Sequence, residues 1–224
     1  LVGTPTNEVK NYCLDAFISR ATNLTYKNYD LLIADNSKTN DNTKRIMKLG
    51  VTAIHINPKQ KEINQYILES HEHLRIAAIK GKYDYLLHLE SDIIPPHDII
   101  ERLLVHQKQV VSAAYFVGEG SESHLMVQEM EDRGDIRLTR KVKDGYDMLL
   151  MNGKLKQVYA CGLGITLIHK SVFEKVKFRW EKGSDAFPDS FFALDLDGLK
   201  IPQYLDTSIL VEHKNQRWLI EENV

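Results

Sequence analysis

Cysteine is nearly absent from this 224-residue chain: Cys13 and Cys161 are the only two. They lie far apart and outside any C-x-x-C spacing, which argues against a disulfide framework or zinc knuckle and predicts a reduced, cytoplasmic protein. Neither sign of charge dominates. Lys plus Arg number 29 against 31 Asp plus Glu, a formal net charge of -2, so nothing draws the whole chain to nucleic acid or anionic membrane, although a local basic patch stays open. No apolar run approaches the ~18–20 residues that span a bilayer. The basic flank and apolar core of a signal peptide are also missing. Leu1-Val2-Gly3-Thr4 reads as the tail of a buried strand with no initiator Met, so the expected true start lies slightly upstream, and a processed leader stays open. Repeats and low-complexity segments are lacking, and with 43% hydrophobic and 27% charged residues neither disorder nor collagen-like structure is expected.

Two nucleotide-binding signatures are missing as well. A dinucleotide site needs a glycine fingerprint after the first strand, where this chain has Thr4-Pro5-Thr6-Asn7; Gly162-Leu163-Gly164 comes much later and has Leu167 in place of a third glycine. There is no P-loop lysine pattern. His71 and His73 are two apart on a predicted helix, so they point to different faces and make a poor metal pair; nor do they fit the H-E-x-x-H zinc spacing.

What is present is rhythm. Short apolar runs (Leu1 to Gly3, Tyr29 to Ala34, Val51 to Ile56, Tyr83 to Leu89, Val110 to Phe116) alternate with helical patterns over Val9 to Ala21, Thr43 to Leu49, Ile63 to Lys80 and Asp98 to Lys108. Strands alternating with helices predict a mainly parallel, Rossmann-like α/β sheet with right-handed crossovers. The pattern weakens between Gly118 and Leu155, as for a hairpin or mobile loop, and resumes as strands at Val158 to Ala160, Gly164 to His169 and Thr207 to Val211, with short helices at Lys170 to Val176 and Ser190 to Leu196. A single domain over 1–224 is expected, its half 1–117 binding nucleotide and its half 118–224, a smaller mixed β region, binding acceptor.

In such sheets ligands bind beyond the carboxyl ends of the strands. Those ends carry Thr4-Pro5-Thr6, Asp35-Asn36-Ser37 and Glu90-Ser91-Asp92. Two carboxylates in Glu90-x-Asp92 repel unless something positive lies between them. Their hard oxygens suit Mg²⁺ or Mn²⁺, whose shell is often completed by substrate phosphates. A solvated turn stopped by Pro95-Pro96 is the plain alternative.

Several segments, taken in order, resemble GT-A-fold glycosyltransferases, most closely family-2-like members. Tyr83 to Pro96 resembles their Asp-x-Asp segment, with Glu90 in place of the first Asp. Thr4-Pro5-Thr6-Asn7 is similar to the loop holding the nucleoside, and Asn28 to Ser37 to the second-strand signature with Asp35 at the base-binding aspartate. Gly162 to Phe173 resembles the glycine-bearing unit facing sugar and acceptor, Pro188 to Phe192 the catalytic acidic motif, and Val211-Glu212-His213 the late histidine of the metal shell. The resemblance implies a metal-dependent enzyme moving a sugar from a nucleoside-diphosphate sugar, a UDP-sugar being favoured, to an acceptor hydroxyl with inversion. It implies Asp92 and His213 as ligands of Mn²⁺ or Mg²⁺, with Glu90 joining them or holding ribose or sugar. Asp189 is the implied base, with Asp185 as rival and a helix cap as the competing reading. For the donor it implies Thr4, Pro5, Thr6, Asp35, Asn36, Arg75, Glu90, Ser91, Gly162 and Gly164, and more weakly Lys38. Asp35 also suits an Asx turn with Asn36 and Ser37, and the two glycines suit a plain turn. Trp180 could stack on a sugar; Tyr115 reads as core. The acceptor is expected to be a glycan or another hydroxyl-bearing molecule. Basic clusters at Arg137 to Lys143 and Lys175 to Lys182 leave a hydroxylated DNA base as the minority reading. A nucleotidyltransferase of similar plan and a non-catalytic nucleotide-sugar-binding module are the rivals.

Overall fold

A computed structural model describes residues 1–57, 62–118, 123–133, 136–141 and 151–214. The chain begins with β1 (Val2–Thr6), a short 3₁₀ turn (Glu8–Lys10) and α1 (Asn11–Ala21). It continues through β2 (Leu31–Asp35), α2 (Asp41–Lys48), β3 (Thr52–His55), α3 (Ile63–Lys80) and β4 (Tyr85–Leu89). Then come β5 (Ile93–Ile94), α4 (Ile99–Leu104), β6 (Val110–Ala114), β7 (Phe116–Val117) and β8 (His124–Leu125). The remainder comprises β9 (Val127–Arg133), β10 (Ile136–Lys141), β11 (Leu155–Val158), β12 (Ala160–Cys161), β13 (Ile165–His169), α5 (Lys170–Phe173), α6 (Pro188–Gly198), β14 (Gln203–Leu210) and β15 (Glu212–His213).

Eight strands form one sheet in the order β11-β14-β6-β13-β4-β1-β2-β3. From β4 to β3 every pairing is parallel, as buried runs such as Leu31 to Ala34 predict. The second half is mixed: β13 runs antiparallel between β4 and β6, and β14 returns parallel to β6. Since β2 and β4 lie on opposite sides of β1, the chain reverses its winding at β1, and a crevice opens beyond the ends of β1 and β4.

Helix α3 packs over β1 and β2. Leu74 and Ala78 are wholly buried one helical turn apart, and Gly3 leaves room for Leu74 where a Cβ would come within 3.2 Å of it. The sheet's main core joins Leu14 and Phe17 of α1 to Ile33, Leu87, Leu89 and Val111. A second cluster under α5 and α6 contains Phe173, Phe178, Phe192 and Leu196. Among the described residues no helix is long and apolar enough to cross a membrane. Residues 119–122, 134–135 and 142–150 of the weakly patterned stretch from Gly118 to Leu155, the tail from 215 onward, and the side chains of the basic cluster from Arg137 to Lys143 lie outside the described residues.

Candidate functional site

Strand β4 ends where Glu90 turns away, its amide donating to the Gly164 carbonyl at 2.8 Å. The turn returns as β5, which pairs antiparallel with β15 so that His213 stands opposite Ile93. The Lys214 amide also donates to the Asp92 carbonyl at 2.8 Å. Backbone pairing therefore delivers a histidine from the end of the described chain to an aspartate beside the central strands. Glu90, Asp92 and His213 each offer a ligand atom, and these atoms lie within 4.8 Å of one another.

The tautomer of His213 follows from its partners. Its Nδ1 lies 2.9 Å from the Phe116 carbonyl, which only accepts, so Nδ1 carries hydrogen. Nε2 then faces Asp92 Oδ2 at 3.3 Å. In a neutral ring that places a lone pair against a carboxylate, an arrangement that needs either a proton on Nε2 or a cation between the two. The second is how metal-binding histidines are held, with the other ring nitrogen tied to a carbonyl. Asp92 is 3% exposed and its Oδ1 has no partner. A buried carboxylate oxygen is costly to leave unmatched, so the donor set fits a hard divalent cation.

Charge in the cluster is shared unequally. Burial first, then Asp92, push the Glu90 carboxyl up to about 7, against the pull of Lys10 and His213. Burial alone would raise Asp92 too, but the hydrogen bond from His213 and the Lys10 charge outweigh it and hold Asp92 below the usual carboxylate range. His213 is raised: burial opposes its charge, and contact with Asp92 overcomes that. The Lys10 ammonium makes an ion pair with Asp92 Oδ2. A lone basic residue beside a helix start gives no sequence signal for this role, and Lys10 was not anticipated.

A cleft of about 710 Å³ opens beside the cluster, and Pro5, Thr6, Lys10, Asn36, Glu90 and Asp92 line one side of it. Ile63, Tyr66, Ile67 and His71, at helical spacing on α3, line it as well. Lys38 is also among its lining residues. Of the residues expected at the donor, the structure thus brings Pro5, Thr6, Asn36 and Glu90 together.

Others lie outside the cleft lining. Thr4 is wholly buried and absent from the cleft lining. Ser91 is 1% exposed, and its hydroxyl is bonded to that of Thr6 at 2.8 Å, a clasp between β1 and the β4 turn. Asp35 is 0% exposed and accepts from the Ser37 amide and hydroxyl, from Asn42 Nδ2 at 3.1 Å and from Thr43 Oγ1 at 2.6 Å. The carboxylate closes the loop into α2, which is the Asx-turn reading rather than the base-binding one. Arg75 is turned away from the cleft. Its Nε and Nη2 hold the Glu72 carboxylate at 2.8 and 2.9 Å, and Nη1 donates to the Phe173 carbonyl. The guanidinium ties α3 to α5. Trp180 donates to the Ser184 carbonyl at 3.1 Å.

Gly162 and Gly164 have a different use from either expectation. A Cβ on Gly162 would stand 2.2 Å from Tyr115 Oη, and one on Gly164 2.7 Å from the same atom. The glycines make room for Tyr115, whose hydroxyl accepts from the Gly164 amide at 3.1 Å. Tyr115 is buried as core, and its ring meets that of His213 edge-on at 5.5 Å. Burial, then the charges of Glu90 and Asp189, hold its phenol well above the ordinary value.

Asp189 is the second residue of α6, following Pro188; the cap position is Phe187, and Asp189 Oδ1 accepts from the Ser190 amide at 2.8 Å. It lines a separate pocket of about 250 Å³ with Asp185, Phe187, Gly162, Met126 and His124. Its charge also bears on Glu90 and Tyr115, so this pocket adjoins the acidic cluster.

No family model matches the chain, and no curated protein does. Solved structures do. The fold is similar to that of GalNAc-T7 with UDP, GalNAc and Mn²⁺, at 14% identity and TM-score 0.61, covering 95% of this chain and 42% of that one. It is also similar to a mycobacterial protein at 13% identity and TM-score 0.55, covering 97% and 67%. A third likeness is to a CMP:2-keto-3-deoxy-manno-octonic acid synthetase complexed with CTP, at 11% identity and TM-score 0.50, covering 92% and 88%. At these identities the likeness is one of fold, and the chain has a GT-A-like, Rossmann-type α/β architecture.

Proposed function

We propose that this protein is a metal-dependent glycosyltransferase that moves a sugar from a nucleoside-diphosphate sugar, a UDP-sugar being favoured, to an acceptor hydroxyl. The observation that carries the reading is the Phe116 carbonyl–His213–Asp92 arrangement beside a donor-sized cleft at the ends of β1 and β4. Asp92, His213 and Glu90 would hold Mn²⁺ or Mg²⁺. A cation bound there supplies positive charge to a departing diphosphate. Pro5, Thr6 and Asn36 border the space for the nucleoside, and the 1–117 half serves the donor. Asp189 takes the proton of the acceptor hydroxyl as it attacks, which predicts direct displacement with inversion. The 118–224 half serves the acceptor, a glycan or another hydroxyl-bearing molecule, with a hydroxylated DNA base as the minority reading.

One observation favours a nucleotidyltransferase as second reading: Lys10, a cation following the first strand, lies against the acidic cluster. The two differ in product, a nucleoside diphosphate in one case and pyrophosphate in the other. The test is thermal unfolding of wild type and Asp92→Ala with Mn²⁺ and each of UDP, GDP, CDP and ADP. Saturation at 100 times Kd stabilises by about 2.7 kcal/mol. A shift with one diphosphate that requires Mn²⁺ and vanishes in Asp92→Ala is expected. No shift with any nucleotide overturns the reading, and binding without turnover of any donor leaves a binding module.

A further inference from the structure

His71 is 3% exposed, lines the cleft, and has no partner at either ring nitrogen. A buried polar ring with both nitrogens unmatched calls for an explanation. Its neighbours do not supply one. The His88 ring meets it edge-on with centroids 4.5 Å apart, and Phe178 lies edge-on at 5.3 Å. The Nδ1 of His88 donates to the Leu163 carbonyl at 2.6 Å, and its Nε2 is likewise without a partner. His71 shares the lining of this cleft with Glu90, Asp92 and Lys10 as well as with Ile63, Tyr66 and Ile67.

Burial, then His88, keep the ring uncharged. A neutral imidazole offers one donor and one acceptor. A hydroxyl can accept from the N–H or donate to the bare nitrogen, whichever faces the cleft, whereas a phosphate oxygen can only accept and is better met by Lys10, which lines the same cleft. Resting on the donor reading above, we propose that His71 is a specificity-determining residue that hydrogen-bonds a hydroxyl of the donor's sugar, so that the cleft tells a sugar nucleotide from the bare nucleotide.

The test compares Kd by titration calorimetry, with Mn²⁺, for UDP and for UDP-glucose, UDP-galactose, UDP-GlcNAc and UDP-GalNAc. The proteins are wild type, His71→Phe and His71→Gln. His71→Phe keeps ring volume and removes both nitrogens. It is expected to weaken the best-bound UDP-sugar by at least about tenfold, the scale of one hydrogen bond to a hydroxyl, while UDP itself stays within about twofold. His71→Gln, which keeps a donor and an acceptor, should recover part of the loss and serves alone should the Phe variant not fold. Equal losses for UDP and UDP-sugars, or no loss in either variant, overturn the role of His71 and leave the donor site standing. Wild type that binds none of the five ligands removes the donor reading and this role with it.

Discussion

Replacing Asp35 with alanine separates two jobs open to a carboxylate at the end of β2: gripping a ligand and closing a loop. The geometry favours the loop. Oδ1 receives the Ser37 amide and hydroxyl and the Asn42 amide, and Oδ2 receives the Thr43 hydroxyl. Asn42 and Thr43 stand in the first turn of α2 and are 7% and 6% exposed, so water is a poor substitute. Hydrogen bonds to a charged acceptor contribute about 1.5–3 kcal/mol each. Counting only Asn42 and Thr43 at the low end, and letting Ser37 rotate, Asp35→Ala should cost about 3 kcal/mol. With a slope of about 2–3 kcal/mol per molar urea, the midpoint falls by about 1 M. Asp35→Asn keeps an oxygen for Ser37 and Asn42 and turns an amine on the Thr43 hydroxyl, which can accept, so about 1 kcal/mol is expected. Urea unfolding followed by circular dichroism reads both. UDP affinity, measured where both variants stay folded, should change less than about threefold, because Asp35 does not line the cleft. An Asp35→Ala protein that keeps its stability within about 1 kcal/mol but loses UDP binding tenfold would refute this and restore the base-binding role.

Two further outcomes test the neighbourhood of the site. Burial holds His88 at about 4, below its ordinary 6.5, so between those values the unfolded chain takes up a proton that the folded chain refuses. That contribution is intact above 6.5 and is lost as pH falls towards 4, by roughly 3 kcal/mol at about 1.4 kcal/mol per unit. Glu90, pushed up to about 7, works oppositely over much of this range, and His71, Asp92 and His213 are shifted too, so the wild-type curve reads only the sum of all five. The stability gap between wild type and His88→Gln should narrow by roughly 3 kcal/mol from pH 7 to pH 4; a gap independent of pH would contradict the buried neutral ring. Gly164→Ala sets a methyl group 2.5 Å from Ile93 Cδ1 and 2.7 Å from the Tyr115 ring. It should cost about 1–3 kcal/mol in thermal unfolding, and an unchanged midpoint would mean that Tyr115 does not need the space.

The sequence made local structure legible wherever burial imposes a pattern. Helix α3 has the expected bounds, Ile63 to Lys80, because its apolar spacing is long enough to be unambiguous. Gly81 stands at its C-cap with φ -78, and the left-handed residue is Lys82, at φ 55. Strand direction was not legible in the second half: an apolar run such as Ile165 to Ile168 reads alike whether it runs parallel or antiparallel to β4. The Glu90 and Asp92 side of the cluster showed in the sequence because two carboxylates follow an apolar strand at the end where such sheets bind ligands. His213 could be singled out only through the family resemblance, since its approach depends on β15 pairing with β5. Periodicity correctly put His71 and His73 on different faces, buried and exposed. The same periodicity turns His71 inward, a consequence visible only once the cleft beneath α3 is known. Arg75 was misread for the opposite reason: a charged helix residue with a buried partner on another element leaves no mark on sequence spacing.

The Lys10–Asp92 contact gives the acidic cluster a counterion that is covalently attached. Its local concentration is fixed by the chain, so dialysis against a chelator does not strip the cluster of positive charge. A divalent cation arriving alone meets, on the same nearly dry carboxylate, a tethered ammonium that repels it. A diphosphate arriving with it would offer the ammonium new oxygens. On the proposed reading ion and diphosphate are in this way coupled ligands, each raising the affinity of the site for the other by the same factor, and the side chain that couples them is one lysine in a three-residue turn.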